Sequence, residues 1–292
     1  MKETDALIIG KGPAGIQAAV YLKRGNVNTT VIGKDLGASE TARDIDNFYG
    51  FTSIGGVELV QRGIDQALEL GIDVVTDEVL SIAFDGERYT VETIQETYQA
   101  MSVLLATGSH RNIPRIRKIR NFNGRGVSYC AVCDAFFYRG KTVAVIGSAE
   151  YAAHEAAELV EIAEKVYVLT NGEPITGQFD SRCIIVEDKL KTVVGDEKVT
   201  GIETETEILA CDGIFVAIGS ASSTDLANKL GVGVENGRIL VNENMETNMP
   251  GLYAAGDCTF GVQQIAKAVG DGCIAGMNMI SYIRGIKRGL KA

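Results

Sequence analysis

Short unbroken apolar runs alternate along the chain with stretches whose apolar residues recur at helical spacing. Leu7-Ile8-Ile9 predicts a buried strand, which runs into Gly10-Lys11-Gly12-Pro13-Ala14-Gly15 and an Ala-rich helix through about Lys23. Thr30-Val31-Ile32 predicts the next strand. The order recurs at Thr142-Val143-Ala144-Val145-Ile146, with a turn at Gly147-Ser148-Ala149, a helix from about Tyr151 to Glu164 and a strand over Lys165–Leu169. Two such βαβ units, roughly 130 residues apart, predict an α/β chain with two related Rossmann-like, three-layer domains on parallel sheets. Between them His110 to Arg125 is polar and basic and reads as a connection. A later strand, Leu252-Tyr253-Ala254-Ala255, ends at Gly256-Asp257, and a long helix is predicted from about Val262 to Arg284. Its Gly261, Gly270 and Gly272 read as sites of close approach.

Composition excludes several classes. The 292 residues suffice for two domains of ~100–200 residues each, and 46% hydrophobic with 23% charged residues is globular rather than disordered or fibrous. With 28 Lys+Arg against 38 Asp+Glu the net charge is −10, the wrong sign for a general nucleic-acid binder. No apolar run approaches the ~18 residues of a membrane helix, and Met1-Lys2-Glu3-Thr4-Asp5 leads into the first strand without a signal-peptide pattern. A cytoplasmic protein, bound to neither membrane nor nucleic acid, is expected.

Of the six cysteines, Cys183, Cys211, Cys258 and Cys273 stand singly and read as small buried apolar side chains. Cys130 and Cys133 form a C-x-x-C pair. Zinc normally takes four ligands, and the chain holds only His110 and His154 and no second C-x-x-C, so no metal site is expected. Two thiols three positions apart at a helix start can close a small disulfide. The positive helix end raises the thiolate fraction, and the neighbouring Asp134 can donate or accept a proton.

The Gly10-x-Gly12-x-x-Gly15 turn supplies a tight bend, a bare backbone for a pyrophosphate and close helix–strand packing, with the helix N-terminus facing the anion. The usual acidic residue after the second strand is missing. Ile32-Gly33-Lys34 stands there, with Asp35 slightly late, so an adenosine ribose must be held differently.

With Leu104-Leu105-Ala106-Thr107-Gly108 and Thr247-Asn248-Met249-Pro250-Gly251 leading to Gly256-Asp257, the turn resembles the FAD motifs of the two-dinucleotide-domain flavoprotein disulfide reductases. Cys130-Ala131-Val132-Cys133-Asp134 is similar to the C-A-T-C-D site of the low-molecular-weight thioredoxin reductases. That likeness extends through Phe136-Phe137-Tyr138-Arg139 and over nearly the whole chain. The resemblance implies non-covalent FAD in a discontinuous domain of residues 1–112 and 245–292, with a central redox domain at 113–244 inserted in it. It carries FAD contacts onto Gly10, Gly12, Pro13, Ala14, Gly15, Asp35, Asn47 and Val79, and onto Ala106, Thr107, Gly108, Gly256, Asp257, Gln264 and Ile265. Cys133 would be the flavin-proximal sulfur, Cys130 the one that attacks a protein disulfide, and Asp134 their proton partner. The resemblance also implies a homodimer, and a central domain that swings so that the pair meets flavin and then solvent.

One family feature is absent. The second dinucleotide motif, G-x-G-x-x-A, reads Gly147-Ser148-Ala149-Glu150-Tyr151-Ala152, with a Cβ in place of the second glycine. The His-Arg-Arg that follows the next strand in the family is replaced by Thr170-Asn171-Gly172-Glu173. Val166 to Ser181 contains no Lys or Arg, although a phosphomonoester needs cationic partners. NADPH is therefore not expected as the donor. The pattern is similar to the flavin-containing, ferredoxin-dependent thioredoxin reductases. A ferredoxin near −400 mV and a thioredoxin near −270 mV differ by about 130 mV, roughly 6 kcal/mol for two electrons. No Fe–S cysteine run occurs here, so the cluster would belong to ferredoxin.

An acidic ferredoxin needs a basic footprint. Arg111, Arg115, Arg117, Lys118 and Arg120 form one candidate, and Lys287 and Arg288 in the basic run from Arg284 to Lys291 form another. Both also read as solvated basic loops. Three other functions stay open on the sequence: an oxygen-using dithiol oxidase, an NADPH-dependent thioredoxin reductase with an atypical pocket, and a non-catalytic flavin redox sensor.

Overall fold

The computed structural model describes residues 1–108 and 114–289 of the chain. It begins with β1 (Lys2–Ile9), α1 (Pro13–Arg24), β2 (Thr29–Ile32) and α2 (Gly56–Glu69). Four strands follow: β3 (Asp73–Val75), β4 (Val79–Phe84), β5 (Tyr89–Thr93) and β6 (Thr97–Leu105). Next come β7 (Val127–Ser128), α3 (Ala131–Asp134), β8 (Thr142–Ile146), α4 (Glu150–Val160) and β9 (Lys165–Leu169). Then come β10 (Ile184–Val186), β11 (Leu190–Gly195), β12 (Val199–Thr204), β13 (Ile208–Ala210) and β14 (Gly213–Val216). The chain closes with α5 (Ser223–Lys229), β15 (Val234–Glu235), β16 (Arg238–Ile239), β17 (Leu252–Ala254) and α6 (Ile265–Lys287).

Contacts divide these elements into two units, Met1–His110 with Ser222–Ala292, and Arg111–Ala221. The return to the first unit falls at Ser222, earlier than residue 245 expected from the sequence. The intervening residues are tied there: Ser223 and Thr107 exchange hydrogen bonds, Lys229 Nζ donates to the Leu80 carbonyl, and Ile239 bridges to Thr259.

The first unit is a seven-stranded sheet in the order β3-β2-β1-β6-β5-β4, with β17 on the C-terminal half of β6. β1, β2, β3, β6 and β17 are parallel, while β4 and β5 add antiparallel. Ala6, Leu7, Ile8 and Ile9 are buried, as the unbroken apolar run of a strand covered on both faces requires. α1 and α6 pack through small residues. A Cβ on Gly272 would lie 2.2 Å from the Ala14 carbonyl oxygen, and one on Gly276 would lie 2.9 Å from that of Ala18. Of the three glycines expected at close approaches, Gly272 is one. Gly270 borders open space among the described residues, and Gly261 instead serves a turn at φ +114°.

The second unit holds a five-stranded parallel sheet, β10-β9-β8-β14-β7, and the antiparallel meander β11-β12-β13. The fold is thus the expected α/β arrangement of parallel sheets. Two helix bounds differ from the sequence reading. α4 ends at Val160 because the Glu164 and Lys165 N–H groups are taken by the Lys141 carbonyl, which turns the chain into β9. α6 starts at Ile265 because Gln264 is extended (φ −139°), and it runs on to Lys287. Between β9 and β10 the chain crosses over without a helix.

Candidate active site

The glycine turn after β1 fits a dinucleotide. A Cβ on Gly10 would lie 2.3 Å from the Ala106 carbonyl oxygen and one on Gly15 1.9 Å from that of Gly10, so both positions are closed to side chains. At Gly12 a Cβ would meet no described atom within 4 Å, which leaves the approach to α1 open. Gly12 is the N-cap, Pro13 the first helical residue, and no side chain caps the helix among the described residues. Free backbone N–H groups therefore face that opening, as an anion needs. Pro13 costs no hydrogen bond there.

Ala106 and Thr107 lie against Gly10, and a Cβ on Gly256 would lie 3.0 Å from that of Ala14; the other expected contacts come from several elements of the same unit. Ala106, Thr107 and Gly108 follow β6, and Val79 is buried at the start of β4. Gly256 and Asp257 occupy a short 3₁₀ turn after β17. Beneath them Asp271 accepts the Gly256 N–H (3.0 Å) and pairs with Lys267 (2.7 Å), whose Nζ also reaches the Gly256 carbonyl (2.8 Å) and Thr259 Oγ1 (2.7 Å). Arg238 donates to the Asp257 carbonyl. Asn47 donates to Gln264 Oε1 (3.1 Å), beside Ile265 at the start of α6. These supports for Gly256-Asp257 were not legible as a motif, because Arg238, Lys267 and Asp271 follow no dinucleotide spacing.

Another carboxylate reaches the place of the missing acid after β2. Lys34 pairs with Glu78 (2.7 Å), whose carboxyl is 6% exposed and whose Oε1 has no hydrogen-bond partner among the described residues. An orphaned acceptor at the C-terminal edge of the parallel strands suits a ribose hydroxyl of FAD. Asp35 instead accepts the Gly37 N–H (2.9 Å) in an exposed turn.

In the second unit Cys130 and Cys133 are joined in a disulfide. Cys130 is the N-cap of α3, and its Sγ accepts the Cys133 N–H (3.2 Å). Cys130 is buried and Cys133 exposed; Asp134 closes the same turn, half-buried. Val132, Phe136 and Phe137 are 51%, 70% and 67% exposed, an apolar surface flanking the pair. Tyr138 packs edge-on against Phe215, and burial with nearby Asp134 and Asp212 pushes its hydroxyl above the ordinary range.

The second nucleotide turn is covered by the chain itself. The Thr176 and Gly177 N–H groups donate to the Ser148 carbonyl (2.8 and 3.0 Å), and the Gln178 N–H donates to Glu150 Oε1 (3.1 Å). A Cβ on Gly177 would lie 2.5 Å from the Ala149 carbonyl atoms, so the β9–β10 crossover rests directly on the turn. Glu150 places a carboxylate at the N-terminus of α4, where a diphosphate would sit. Arg182 pins the crossover's far end to Asp180 (2.7 Å) and Glu161 (2.6 Å) and holds the Asp180 carboxyl down to about 2.

The connection before β7 is less simple than its polar composition suggests. Ile116, Ile119 and Phe122 are buried in the second unit's core, while Arg115, Arg117, Lys118, Arg120 and Arg125 are exposed. Arg111 and Lys291 lie outside the described residues. Lys287 pairs with Asp5 (2.7 Å), and Arg284 donates to the Gly25 carbonyl (2.9 Å), so part of the C-terminal run is already engaged. Of the single cysteines, Cys211 and Cys258 are buried as expected; Cys183, just before β10, and Cys273, within α6, are only half-buried. Among the described residues no three His, Cys, Asp or Glu side chains group as metal ligands, and no helix is long and apolar enough to cross a membrane.

An anion-ready glycine turn in one unit and an exchangeable disulfide in the other are the two halves of a flavoprotein disulfide oxidoreductase of the thioredoxin reductase type. Residues 4–272 match the model of the pyridine nucleotide-disulphide oxidoreductase family, and the chain belongs to that family. It is 32% identical to a thioredoxin reductase of Listeria monocytogenes, covering 99% of this chain and 96% of that protein. Among solved structures, the atypical thioredoxin reductase TRi of Desulfovibrio vulgaris Hildenborough matches with a TM-score of 0.89 and 36% identity, over 96% of this chain and 98% of the other. A ferredoxin-flavin thioredoxin reductase of Clostridium acetobutylicum matches with a TM-score of 0.73 and 38% identity, over 97% and 99%.

Proposed function

We propose that this protein reduces thioredoxin with electrons from reduced ferredoxin, through FAD and the Cys130–Cys133 disulfide. The observation that carries the reading is the β9–β10 crossover lying on the second nucleotide turn, with Thr176, Gly177 and Gln178 donating to the groups that would face a nicotinamide coenzyme. The acidic Glu150 and the lack of Lys or Arg from Val166 to Ser181 support it; a cation that approaches this stretch is Lys189, whose Nζ would lie 3.0 Å from a Cβ on Gly172. The likeness to a protein described as a ferredoxin-flavin thioredoxin reductase points the same way.

FAD bound at the first turn would supply the step between a one-electron donor and a two-electron disulfide. Gly10, Gly12 and Gly15 would admit its pyrophosphate and α1 would face it; Asp257, Gln264 and Asn47 would hold its ribityl and ring side. Glu78 would take the adenosine ribose. The disulfide then opens, taking two electrons and two protons, and one sulfur attacks the disulfide of thioredoxin. As folded here Cys130 is covered and Cys133 exposed, so the outward attack assigned to Cys130 requires a movement that uncovers it. Val132, Phe136 and Phe137 supply apolar surface for thioredoxin to cover, and the exposed cations from Arg115 to Arg120 a footprint for an acidic ferredoxin.

Anaerobic mixing of the oxidised holoenzyme with NADPH, NADH or reduced ferredoxin tests the reading. Flavin absorbance should bleach with ferredoxin alone. Rapid bleaching by NADPH would replace this donor with the nicotinamide.

A further inference from the structure

α4 carries a charge that the redox chemistry above does not use. Glu155 is 1% exposed on a face that otherwise buries Tyr151, Ala152, Ala153, Ala156 and Leu159. Its Oε2 accepts the Ala131 N–H at 2.7 Å. Ala131 is the first residue of α3 and directly follows Cys130, itself 4% exposed. A buried carboxylate is retained at a cost unless it is hydrogen-bonded, and one bond of this carboxylate goes to the peptide beside the disulfide. His154 Nδ1 stands 3.6 Å from Glu155 Oε1 and is 18% exposed, so the pair reaches from the disulfide toward the surface.

We propose that Glu155 is a positioning residue for the redox pair: its carboxylate fixes the first peptide of α3, and its charge disfavours the thiolate of Cys130 relative to that of Cys133. The inference rests on Cys130 and Cys133 being the redox pair and is independent of which donor reduces the flavin. Opening the disulfide takes two electrons from the flavin and two protons from water and yields two thiols. A negative charge held on the Ala131 N–H, one peptide from Cys130, makes the Cys130 thiol the harder to ionise. Proton loss is thereby directed to exposed Cys133, and Cys130 stays nearer the ambient range in which a thiol attacks best. Other titratable groups around α3 among the described residues include Tyr129 directly before Cys130, Asp134 in its last position, Tyr138 in the next turn, Asp212 facing Tyr138, and Tyr151 and His154 on α4. None of these is altered in the alkylation test.

The test uses holoenzyme carrying Cys133→Ser, so that Cys130 is a free thiol, with and without Glu155→Gln. Gln keeps the acceptor for Ala131 and removes the charge. The rate of iodoacetamide alkylation at Cys130, read by peptide-resolved mass spectrometry across pH, should show its midpoint about one pH unit lower in the Gln variant. Glu155→Asp should restore the midpoint. An unmoved midpoint with Gln, or the same displacement with Gln and Asp, overturns the proposal. Should the Gln variant not fold, Asp134→Asn enzyme with Glu155 intact is reduced by dithiothreitol and its infrared difference spectrum recorded. A carboxylate band should respond to opening of the disulfide, and its absence overturns the proposal equally.

Discussion

Cys130 and Cys133 are three residues apart yet sit in different surroundings, one under the N-terminus of α3 and the other at its exposed side. Replacing either by Ser should reduce thioredoxin turnover to background while flavin content is kept, measured as thioredoxin-dependent thiol production. The single buried thiols should behave in the opposite manner. Burial pushes Cys211 up to about 12 and Cys258 up to about 11. Both values are raised above that of an unfolded thiol, so the neutral form is favoured in the fold. The stability this contributes is whole below the unfolded value of about 8.5 and is lost as pH climbs through the folded values. Native protein at pH near 8 should therefore leave Cys211 and Cys258 unalkylated, and urea melts should weaken progressively above about pH 9. Glu78→Gln offers a third check at this scale. Losing a charged acceptor for a ribose hydroxyl should weaken FAD rebinding about tenfold, followed by flavin fluorescence.

Glycine-rich turns and parallel strands are legible at the scale of elements because their causes are local. Gly10 and Gly15 are demanded by backbone atoms a few residues or one strand away, and β1 is an apolar run because both its faces are covered. The parts that escaped sequence reading depend on distant partners. Glu155 meets Ala131 across 24 positions, Lys267 and Asp271 act on a turn formed by β17, and α4 stops where Lys141 captures the chain. Ile116, Ile119 and Phe122 lie in the segment that reads as a polar, basic connection, and the second core gathers them. The crossover was legible only as a deficit of cations; that its backbone lies on Ser148 was not. Gly177→Ala tests that contact. Its Cβ has no room beside Ala149, so stability should fall by about 1–3 kcal/mol in a urea titration, and NADPH should still fail to bleach the flavin.

For the whole molecule, the net charge of −10 makes any acidic partner approach against the mean field, so association must be steered by a local patch. Reversing Arg115, Arg117 and Lys118 together to Glu should lower the ferredoxin-driven rate at low salt by tenfold or more, and the gap should close as salt screens it. A rate that is unaltered at low salt would move the footprint elsewhere, with Arg288 as the next residue to reverse. Family membership, the α/β class and the redox pair could all be read from the linear chain; the division between units at Ser222 could not, since it is set by contacts of α5 with Thr107.

The crossover closes the second cleft with main-chain donors rather than with a bulky side chain. Peptide N–H groups at Thr176, Gly177 and Gln178 survive nearly every point substitution, so single amino-acid changes leave this cover in place. Under the proposed function, a nicotinamide site would take a rebuilt loop and imported cations together. Under that same reading the loop acts as a ratchet, leaving the chain reliant on whichever redox protein can dock on its surface.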